Sequence, residues 1–249
     1  MTTEAKTRKT GKNGRTRSAV LLSLVVGVNL STVVALGGTV RQAEAALTEK
    51  IAFSSNRTTG IGVDNPTGDY EVFTMNPDGT GLKQLTFNQV NDNGPTLSPD
   101  GTKIAYESEQ SNDAIFVMSA LDGSGNKNLT YGTYGSYYPV FSPDGTKIAY
   151  TSRGDEISNP QRDYEAYAMN ATDGSGKVNL TDNSGVTDYP SDFSPDGTRV
   201  LYESRGAQTS NSEGDWEVYR VNALDGTGNT NLTNNAANDF SPDWGVQAM

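Results

Sequence analysis

The 249-residue sequence contains no cysteine and no histidine. Without cysteine, the protein has no disulfide, no thiolate metal site and no cysteine nucleophile. Without histidine, it lacks the side chain that most often serves as general base and metal ligand near neutral pH. These absences weigh against hydrolase and zinc chemistry, so we expect a protein that is not an enzyme, holds no metal and needs no cofactor.

A long apolar run occurs only near the N-terminus, from Ala19 to about Leu36, and a basic lead precedes it. A small-x-small sequence follows at 43–45. This order predicts a secretory signal peptide over residues 1–45, cleaved before Ala46, and therefore a secreted or periplasmic protein. The alternative is an uncleaved anchor, because the run is long for a signal peptide, although two polar residues interrupt it.

The rest of the chain is strongly acidic. Removing residues 1–45 takes away seven of the 19 basic residues and two of the 30 acidic residues, which leaves a net charge of −16. Such a surface repels nucleic acid and anionic lipid. We therefore expect no nucleic-acid partner, and no stable membrane span once the signal peptide is removed.

One twelve-residue pattern recurs along the chain. Its Ser-Pro-Asp-Gly core predicts a tight turn, because proline fixes φ, aspartate bonds to its own backbone and glycine accepts a positive φ. The β-branched and aromatic residues that follow predict a strand. Successive copies lie 44, 52 and 47 residues apart, a period typical of propeller blades. The copies are LSPDGTKIAYES from Leu97, FSPDGTKIAYTS from Phe141, FSPDGTRVLYES from Phe193 and a shortened FSPDW from Phe240.

Two further strands complete each repeat. A third strand of the type DYEVFTMN is followed by an Asp-Gly hairpin and a short fourth strand that ends in Leu-Thr. We therefore predict an all-β fold, a β-propeller of four blades with four antiparallel strands each, over residues 46–249. One aromatic residue of each third strand is expected to pack between blades: Phe73, Phe116, Tyr167 and Tyr219.

The repeat is split between the two ends of the chain. Lys50–Ser55 matches a second strand with no first strand before it, and Asn238–Asp243 matches a first strand with nothing after it. Pairing these segments closes one blade with N- and C-terminal strands and removes exposed sheet edges. We therefore expect a monomer that closes on itself; the alternative is that the terminal strand pairs with a second chain in a larger, shared ring.

The order SPDGTKIAY, DYE with its strand, DGSG and NLT resembles the PD40 repeats of the TolB-like β-propellers. The resemblance covers almost all of residues 50–243 and implies the propeller fold. It says little about function, because the motif residues form the turns and core of a blade. Similar propellers precede prolyl-oligopeptidase hydrolases, but this sequence has no Gly-x-Ser-x-Gly nucleophile elbow with acid and histidine partners.

Propellers usually bind ligands at the channel mouth, where the loops that enter the innermost strands converge. Tyrosine, asparagine and aspartate side chains there suit a polar ligand or a peptide. The alternative is that they only solvate a narrow end of the ring. The six predicted mouth residues are Asp92, Asn93, Tyr137, Asp188, Tyr189 and Asp239.

Acidic residues elsewhere in the repeats favour structural interpretations. The Asp-Gly-Ser-Gly hairpins could suggest calcium, but one aspartate followed by glycine is what a tight turn needs. Three third strands carry two acids each, which could chelate a cation or catalyse, yet three similar pairs cannot form one catalytic site. We expect these pairs to be solvated or matched by arginines. They are Asp69 and Glu71, Asp163 and Glu165, and Asp215 and Glu217.

These observations predict a secreted, non-catalytic propeller that binds a protein or a cell-envelope component. The alternative is a carbohydrate-binding propeller that uses Trp216, Tyr137 and Tyr138 as stacking rings.

Overall fold

The computed structural model describes residues 49–131, 134–154, 159–205, 211 and 214–245. The predicted signal peptide lies outside the described residues. Within them, the only helical segment is a single 3-10 turn at Glu109–Ser111, and no helix has the length and apolar character needed to cross a bilayer. The described fold is therefore all-β, as predicted.

Four antiparallel sheets, which we call blades 1 to 4, follow one another along the chain. Blade 1 has three strands, and blades 2 to 4 have four each. The inner strands of successive blades lie side by side, β4 next to β8 and β8 next to β12. The strands are β1 (Ile51–Ser55), β2 (Glu71–Met75) and β3 (Lys83–Gln84) in blade 1; β4 (Asp92–Leu97), β5 (Lys103–Ser108), β6 (Ala114–Ser119) and β7 (Lys127–Asn128) in blade 2; β8 (Ser136–Phe141), β9 (Lys147–Ser152), β10 (Glu165–Asn170) and β11 (Val178–Asn179) in blade 3; and β12 (Thr187–Phe193), β13 (Arg199–Arg205), β14 (Trp216–Asn222) and β15 (Thr230–Asn231) in blade 4.

The Ser-Pro-Asp-Gly turns form as predicted. In blade 2 the Ser98 hydroxyl donates to Asp100 Oδ1 at 2.6 Å, and the Thr102 N–H donates to the same oxygen at 3.0 Å. These bonds, with that from Ser98 the strongest, lower the pKa of Asp100. Gly101 adopts φ +66°, a conformation that glycine accepts without steric cost. The turn between the first and second strands is therefore stabilised by residues that are at most five positions apart in the sequence.

The core lies between successive blades. The predicted aromatic residues of the third strands are buried, and in blades 3 and 4 they stack on a tyrosine of the second strand. The ring centroids of Tyr150 and Tyr167 are 5.6 Å apart, and those of Tyr202 and Tyr219 are 5.3 Å apart. Each of three hydrophobic clusters combines buried residues of two successive blades, so each blade is stabilised by the apolar surface of its neighbour.

The predicted closure of one blade by the two chain ends is not formed by the described residues. Among them, blade 1 has no inner strand, and residues 238–243 do not pair with β1. Instead, the Asp239 N–H donates to Trp216 O at 2.8 Å, which holds this segment on blade 4. Blade 4 makes no extensive contact with blade 1 in the described part of the chain. We expected a monomer because this closure would pair the strands at both chain ends. Without the closure, that reason no longer applies.

The last repeat also has a different register from the one predicted. Ser241 lies at φ +56° before Pro242, as Gly94 does before Pro95. This Ser-Pro therefore forms the irregular point of an inner strand and not a Ser-Pro-Asp-Gly turn. The residue that corresponds to Phe193 is consequently Trp244, which also lies five positions after the inner-strand aspartate.

Candidate functional site

Acidic residues from neighbouring blades meet in pairs beside the inner strands. A glutamate that begins or lies near the start of a third strand packs near the aspartate at the start of the next inner segment. Five of the six residues are buried, and Asp239 is partly exposed. The pairs are Glu71 with Asp92, Glu165 with Asp188, and Glu217 with Asp239.

One asparagine joins the two members of each pair. The Asn88 N–H donates to Glu71 Oε1 at 2.8 Å, and Asn88 Nδ2 donates to Asp92 Oδ2 at 2.7 Å. Asn183 makes the same two bonds at 3.1 and 2.7 Å, and Asn235 makes them at 2.8 and 2.6 Å. The repeated geometry shows that glutamate, asparagine and aspartate form one structural unit.

At the contact between blades 2 and 3, the sequence lacks all three members of this unit. Ala114 stands in place of the glutamate, Gly132 in place of the asparagine and Ser136 in place of the aspartate. The Ser136 hydroxyl bonds instead to Ser152 Oγ at 3.2 Å. A buried polar group that loses its hydrogen-bond partner costs about 1–3 kcal/mol, so it is favourable for the three residues to be replaced together.

Burial raises the pKa of the acids in the first two pairs. The pKa of Glu71 rises to about 7, mainly because its carboxyl group is removed from water, and burial also raises the pKa of Asp92. Burial likewise raises the pKa of both Glu165 and Asp188. Adjacent carboxyl groups of this kind keep a proton to a higher pH than isolated, solvated carboxyl groups do.

The pairs do not form an accessible chemical site. Glu71, Asp92 and Asp188 are fully buried, so a substrate has no path to their carboxyl groups. Our expectation that the third-strand glutamates are solvated or matched by arginines is therefore wrong, because the adjacent blade covers them. Among the residues that the structure describes, no three acidic side chains converge as a metal site requires.

A second set of side chains forms a continuous aromatic surface across blades 3 and 4. We call it the aromatic arc. It combines residues that precede a buried glutamate with residues that lie one or two positions after an inner-strand aspartate or its counterpart Ser136. Its members are Tyr137, Tyr138, Tyr164, Tyr189, Trp216 and Phe240.

Ring contacts connect the arc from one end to the other. Tyr189 is central: it stacks on Trp216 with centroids 5.6 Å apart and planes at 17°, and it contacts Tyr164 at 6.2 Å. Tyr137 meets Tyr164 edge to face at 6.1 Å, and Phe240 meets Trp216 at 5.8 Å. Because each ring is held by its neighbours, the arc is a preformed surface.

Tyr138 is the most exposed tyrosine of the arc. Its side chain is 57% exposed, and its ring meets Tyr189 edge to face at 5.4 Å. Its backbone has φ +56°, the value that Gly94 adopts at the corresponding point of blade 2. A left-handed conformation costs a residue with Cβ about 1–2 kcal/mol. Residues kept in strained conformations cluster at functional sites, and Tyr138 is such a residue.

Charged groups border the arc. The Arg153 guanidinium carbon lies 4.3 Å from the centroid of the Tyr164 ring, a cation–π contact. The Tyr137 hydroxyl donates to Asp113 Oδ2 at 2.7 Å. Burial, and then this bond to Asp113, raise the pKa of Tyr137. The arc therefore presents ring faces together with one cation and one anion.

The predicted mouth residues separate into two layers. Tyr137 and Tyr189 belong to the arc, whereas Asp92 and Asp188 are buried in carboxyl pairs. Asn93 is half-buried and pairs with Glu107 across β4 and β5, and Asp239 bonds to Asn235. Neighbouring residues of a strand face opposite sides of the sheet. An aspartate such as Asp188 therefore points into the protein, whereas the adjacent Tyr189 points into the arc.

Sequence reasoning did not place Tyr164 and Phe240 in a site. The available signal was positional: Tyr164 and Trp216 each precede a third-strand glutamate, and Tyr189 and Phe240 each follow an inner-strand aspartate. Rings from these two sets of positions, on neighbouring strands and blades, contact one another to form the arc.

The fold is that of known propellers. TolB from Acinetobacter baumannii superposes with a TM-score of 0.55 at 22% identity, over 74% of this chain and 41% of that one. A TolB candidate from Agrobacterium tumefaciens gives 0.53 at 24% identity, over 66% and 56%. Hydrazine synthase from Kuenenia stuttgartiensis gives 0.53 at 17% identity, over 73% and 31%.

The chain thus spans between two fifths and three fifths of the two TolB structures that it matches. A comparison with curated proteins finds no match. The family model of the TolB β-propeller domain, PD40, matches residues 47–211, about two thirds of the sequence. Together with the blades and their repeated turns, this match shows that the chain belongs to the PD40 family of TolB β-propellers.

Proposed function

We propose that this protein is an exported, non-catalytic propeller that binds a protein of the cell envelope through the aromatic arc. The observation that carries the proposal is Tyr138, an exposed ring on a backbone that favours glycine. The fold does not need tyrosine at this position, since Gly94 serves in blade 2 and Ser241 at the end of blade 4. A binding role explains why the ring is present.

The composition of the arc favours a protein partner. Tyrosine, tryptophan and arginine are the residues most enriched at the energetic centres of protein interfaces. Here five tyrosine and tryptophan rings lie beside Arg153, and the rings are already fixed by mutual contacts. A fixed surface loses little conformational entropy on binding, so more of the contact energy contributes to affinity.

The absence of catalysis is supported by two features. The sequence contains neither histidine nor cysteine. The acids with raised pKa values, which could otherwise serve as general acids, are closed off by neighbouring blades. Export is supported by the N-terminal sequence alone, and a mature protein that retains residues 2–45 would contradict cleavage before Ala46.

Site-specific photo-crosslinking tests the binding proposal. Tyr138 is replaced with p-benzoylphenylalanine in cells that produce the protein, and Tyr131, an exposed tyrosine outside the arc, is the matched control. We expect a discrete crosslinked protein from position 138 and none from position 131. Crosslinking that is absent at 138, or equal at both positions, would contradict the proposal.

A carbohydrate ligand is the second candidate, because Trp216 and Tyr189 stack in parallel and Trp216 remains partly exposed. A glycan array with the purified protein and its Trp216→Ala variant separates the two. Sub-millimolar binding that Trp216→Ala abolishes would favour carbohydrate over protein.

A further inference from the structure

The contact between successive blades contains the same close approach three times. The first glycine of each Asp-Gly hairpin lies against a leucine carbonyl of the preceding blade. A Cβ added at Gly123 would lie 2.4 Å from Leu85 O, and one added at Gly174 would lie 2.3 Å from Leu129 O. Gly226 repeats this at 2.6 Å from Leu180 O. The glycine and the leucine are therefore the two halves of one interface.

Within the described residues, the glycine of blade 1 and the leucine of blade 4 that correspond to these positions are both uncovered. Gly79, the equivalent glycine of blade 1, has no atom within 4 Å of an added Cβ. Leu232, the equivalent leucine of blade 4, is 46% exposed, whereas Leu129 and Leu180 are 1% and 2% exposed. Blade 1 thus presents the glycine side of this interface, and blade 4 presents the leucine side.

The strands of one further blade are also divided between these two surfaces: its inner strand lies at the blade 4 end and its other strands form blade 1. Residues 238–244 lie on blade 4 as an incoming inner strand does: the Asp239 N–H donates to Trp216 O at 2.8 Å, as the Asp188 N–H donates to Tyr164 O at 2.8 Å. This segment has no second strand. In blade 1, β1 is a second strand whose inner neighbour is missing.

The register of the missing pairing follows from the complete blades. Ile104 pairs with Leu97, and Val200 pairs with Phe193. The corresponding residues of the divided blade are Ile51 and Trp244. Ile51 is 39% exposed although Ile104 and Val200 are fully buried. Ser55 corresponds to Ser108 and Ser204, each of which hydrogen-bonds to the inner-strand aspartate of its blade.

We propose that a second copy of this chain completes the divided blade, so that β1 of one copy pairs with residues 238–244 of the other. Leu232 of each copy then covers Gly79 of its partner. Both surfaces are used in each copy, so two copies close a ring head to tail, with eight blades in all. Eight blades lie within the range that propellers commonly adopt, about four to eight.

The partner follows from continuity with the internal interface. At each internal contact a leucine is covered by a glycine hairpin of the next blade, and blade 1 presents such a hairpin together with a second strand that has no inner neighbour among the described residues. In the described part of the chain, no strand of blade 4 makes an extensive contact with a strand of blade 1. A second copy brings them together without changing either one.

Engineered cysteines test the proposed register, and the natural sequence contributes no background thiols. Ile51→Cys and Trp244→Cys are made as separate proteins, mixed and oxidised, and the products are separated without reductant. We expect a disulfide-linked species with the mass of two chains. Its yield from the mixture should be at least tenfold higher than its yield from either variant alone. A mixture with Phe240→Cys in place of Trp244→Cys, four residues out of register, is the matched control.

The double variant Ile51→Cys/Trp244→Cys distinguishes the alternatives. An intermolecular disulfide supports the shared ring. An intramolecular disulfide in a single chain would overturn the proposal in favour of self-closure, and no disulfide in either experiment would also overturn it.

Light scattering on the full chain gives an independent measurement without cysteines. We expect twice the chain mass for the natural protein and for Leu224→Asp, because Leu224 is 74% exposed outside the proposed contact. Leu232→Asp is expected to give a folded protein of single-chain mass. A single-chain mass for the natural protein, or a dimer that persists in Leu232→Asp, would contradict the proposal.

Discussion

The Tyr138 backbone N–H donates a 2.7 Å hydrogen bond to the Glu107 carboxylate, and the tyrosine that this bond holds has φ +56°. The bond crosses from β8 of blade 3 to β5 of blade 2. It fixes the most exposed tyrosine of the arc at the boundary between two blades.

Replacing Tyr138 with glycine is expected to leave the free energy of unfolding unchanged or to raise it by up to about 1 kcal/mol. The left-handed backbone then carries no Cβ penalty of about 1–2 kcal/mol, and the greater freedom of glycine in the unfolded chain offsets part of the gain. Urea unfolding measures the change. Tyr131→Gly, where φ is not positive, is the control and should lose stability. A loss above 1 kcal/mol for Tyr138→Gly would show that the ring is needed for folding.

The stability of the protein is expected to peak at mildly acidic pH. The folded-state pKa of Glu71, about 7, exceeds its ordinary value of 4.5, so the folded state holds a proton that the unfolded state releases. That contribution is complete below pH 4.5 and is lost as the pH rises through 7. The turn aspartate Asp122 has its pKa lowered to about 2, mainly by the Ser124 hydroxyl, and its contribution is lost as the pH falls.

Thermal unfolding followed by circular dichroism from pH 3 to pH 9 measures this dependence. We expect the melting temperature to be highest near pH 5 and to fall by several degrees at pH 8. A melting temperature that rises between pH 5 and pH 8 would contradict the assignment of raised pKa values to the carboxyl pairs.

The substitution Glu71→Gln isolates one pair. Glutamine keeps the shape and the oxygen that accepts from the Asn88 N–H but removes the titrating proton. We therefore expect little change in stability at pH 4.5 and a gain at pH 8.5, where a one-unit shift is worth about 1.4 kcal/mol. Denaturant unfolding at the two pH values gives the difference. Glu49→Gln, on an exposed residue, should show neither effect.

Alanine at Gly174 is expected to destabilise the fold by more than 2 kcal/mol, about the upper range of single substitutions. Its Cβ would lie 2.3 Å from Leu129 O, a backbone atom that cannot move without separating blades 2 and 3. Gly125→Ala is the matched control, because Gly125 also has a positive φ but has nothing within 4 Å. The difference between the two melting temperatures measures the blade contact alone, and equal losses would show that only backbone strain matters.

Local sequence patterns predicted the turns and strands, but they did not predict which side chains of the neighbouring blade pack against them. The Ser98-to-Lys103 turn, its strand and the buried aromatic columns follow from residue types within one repeat. The period-2 pattern correctly placed Phe73 in the core. It could not show that Asp92 of the next blade closes over Glu71, because that contact joins segments 21 residues apart through a sheet boundary.

The same limit explains the error at the end of the chain. Phe-Ser-Pro-Asp at 240–243 has the letters of the turn, and local chemistry alone assigns it to one. In the structure, Asp239 binds Asn235 and Trp216 O, and these contacts move the register by four residues. Residue types within one repeat were enough to predict the blades, because the contacts that form turns and hairpins are local in the chain. The carboxyl pairs, the aromatic arc and the uncovered interface surfaces could not be predicted in this way, because each depends on which blade packs against which.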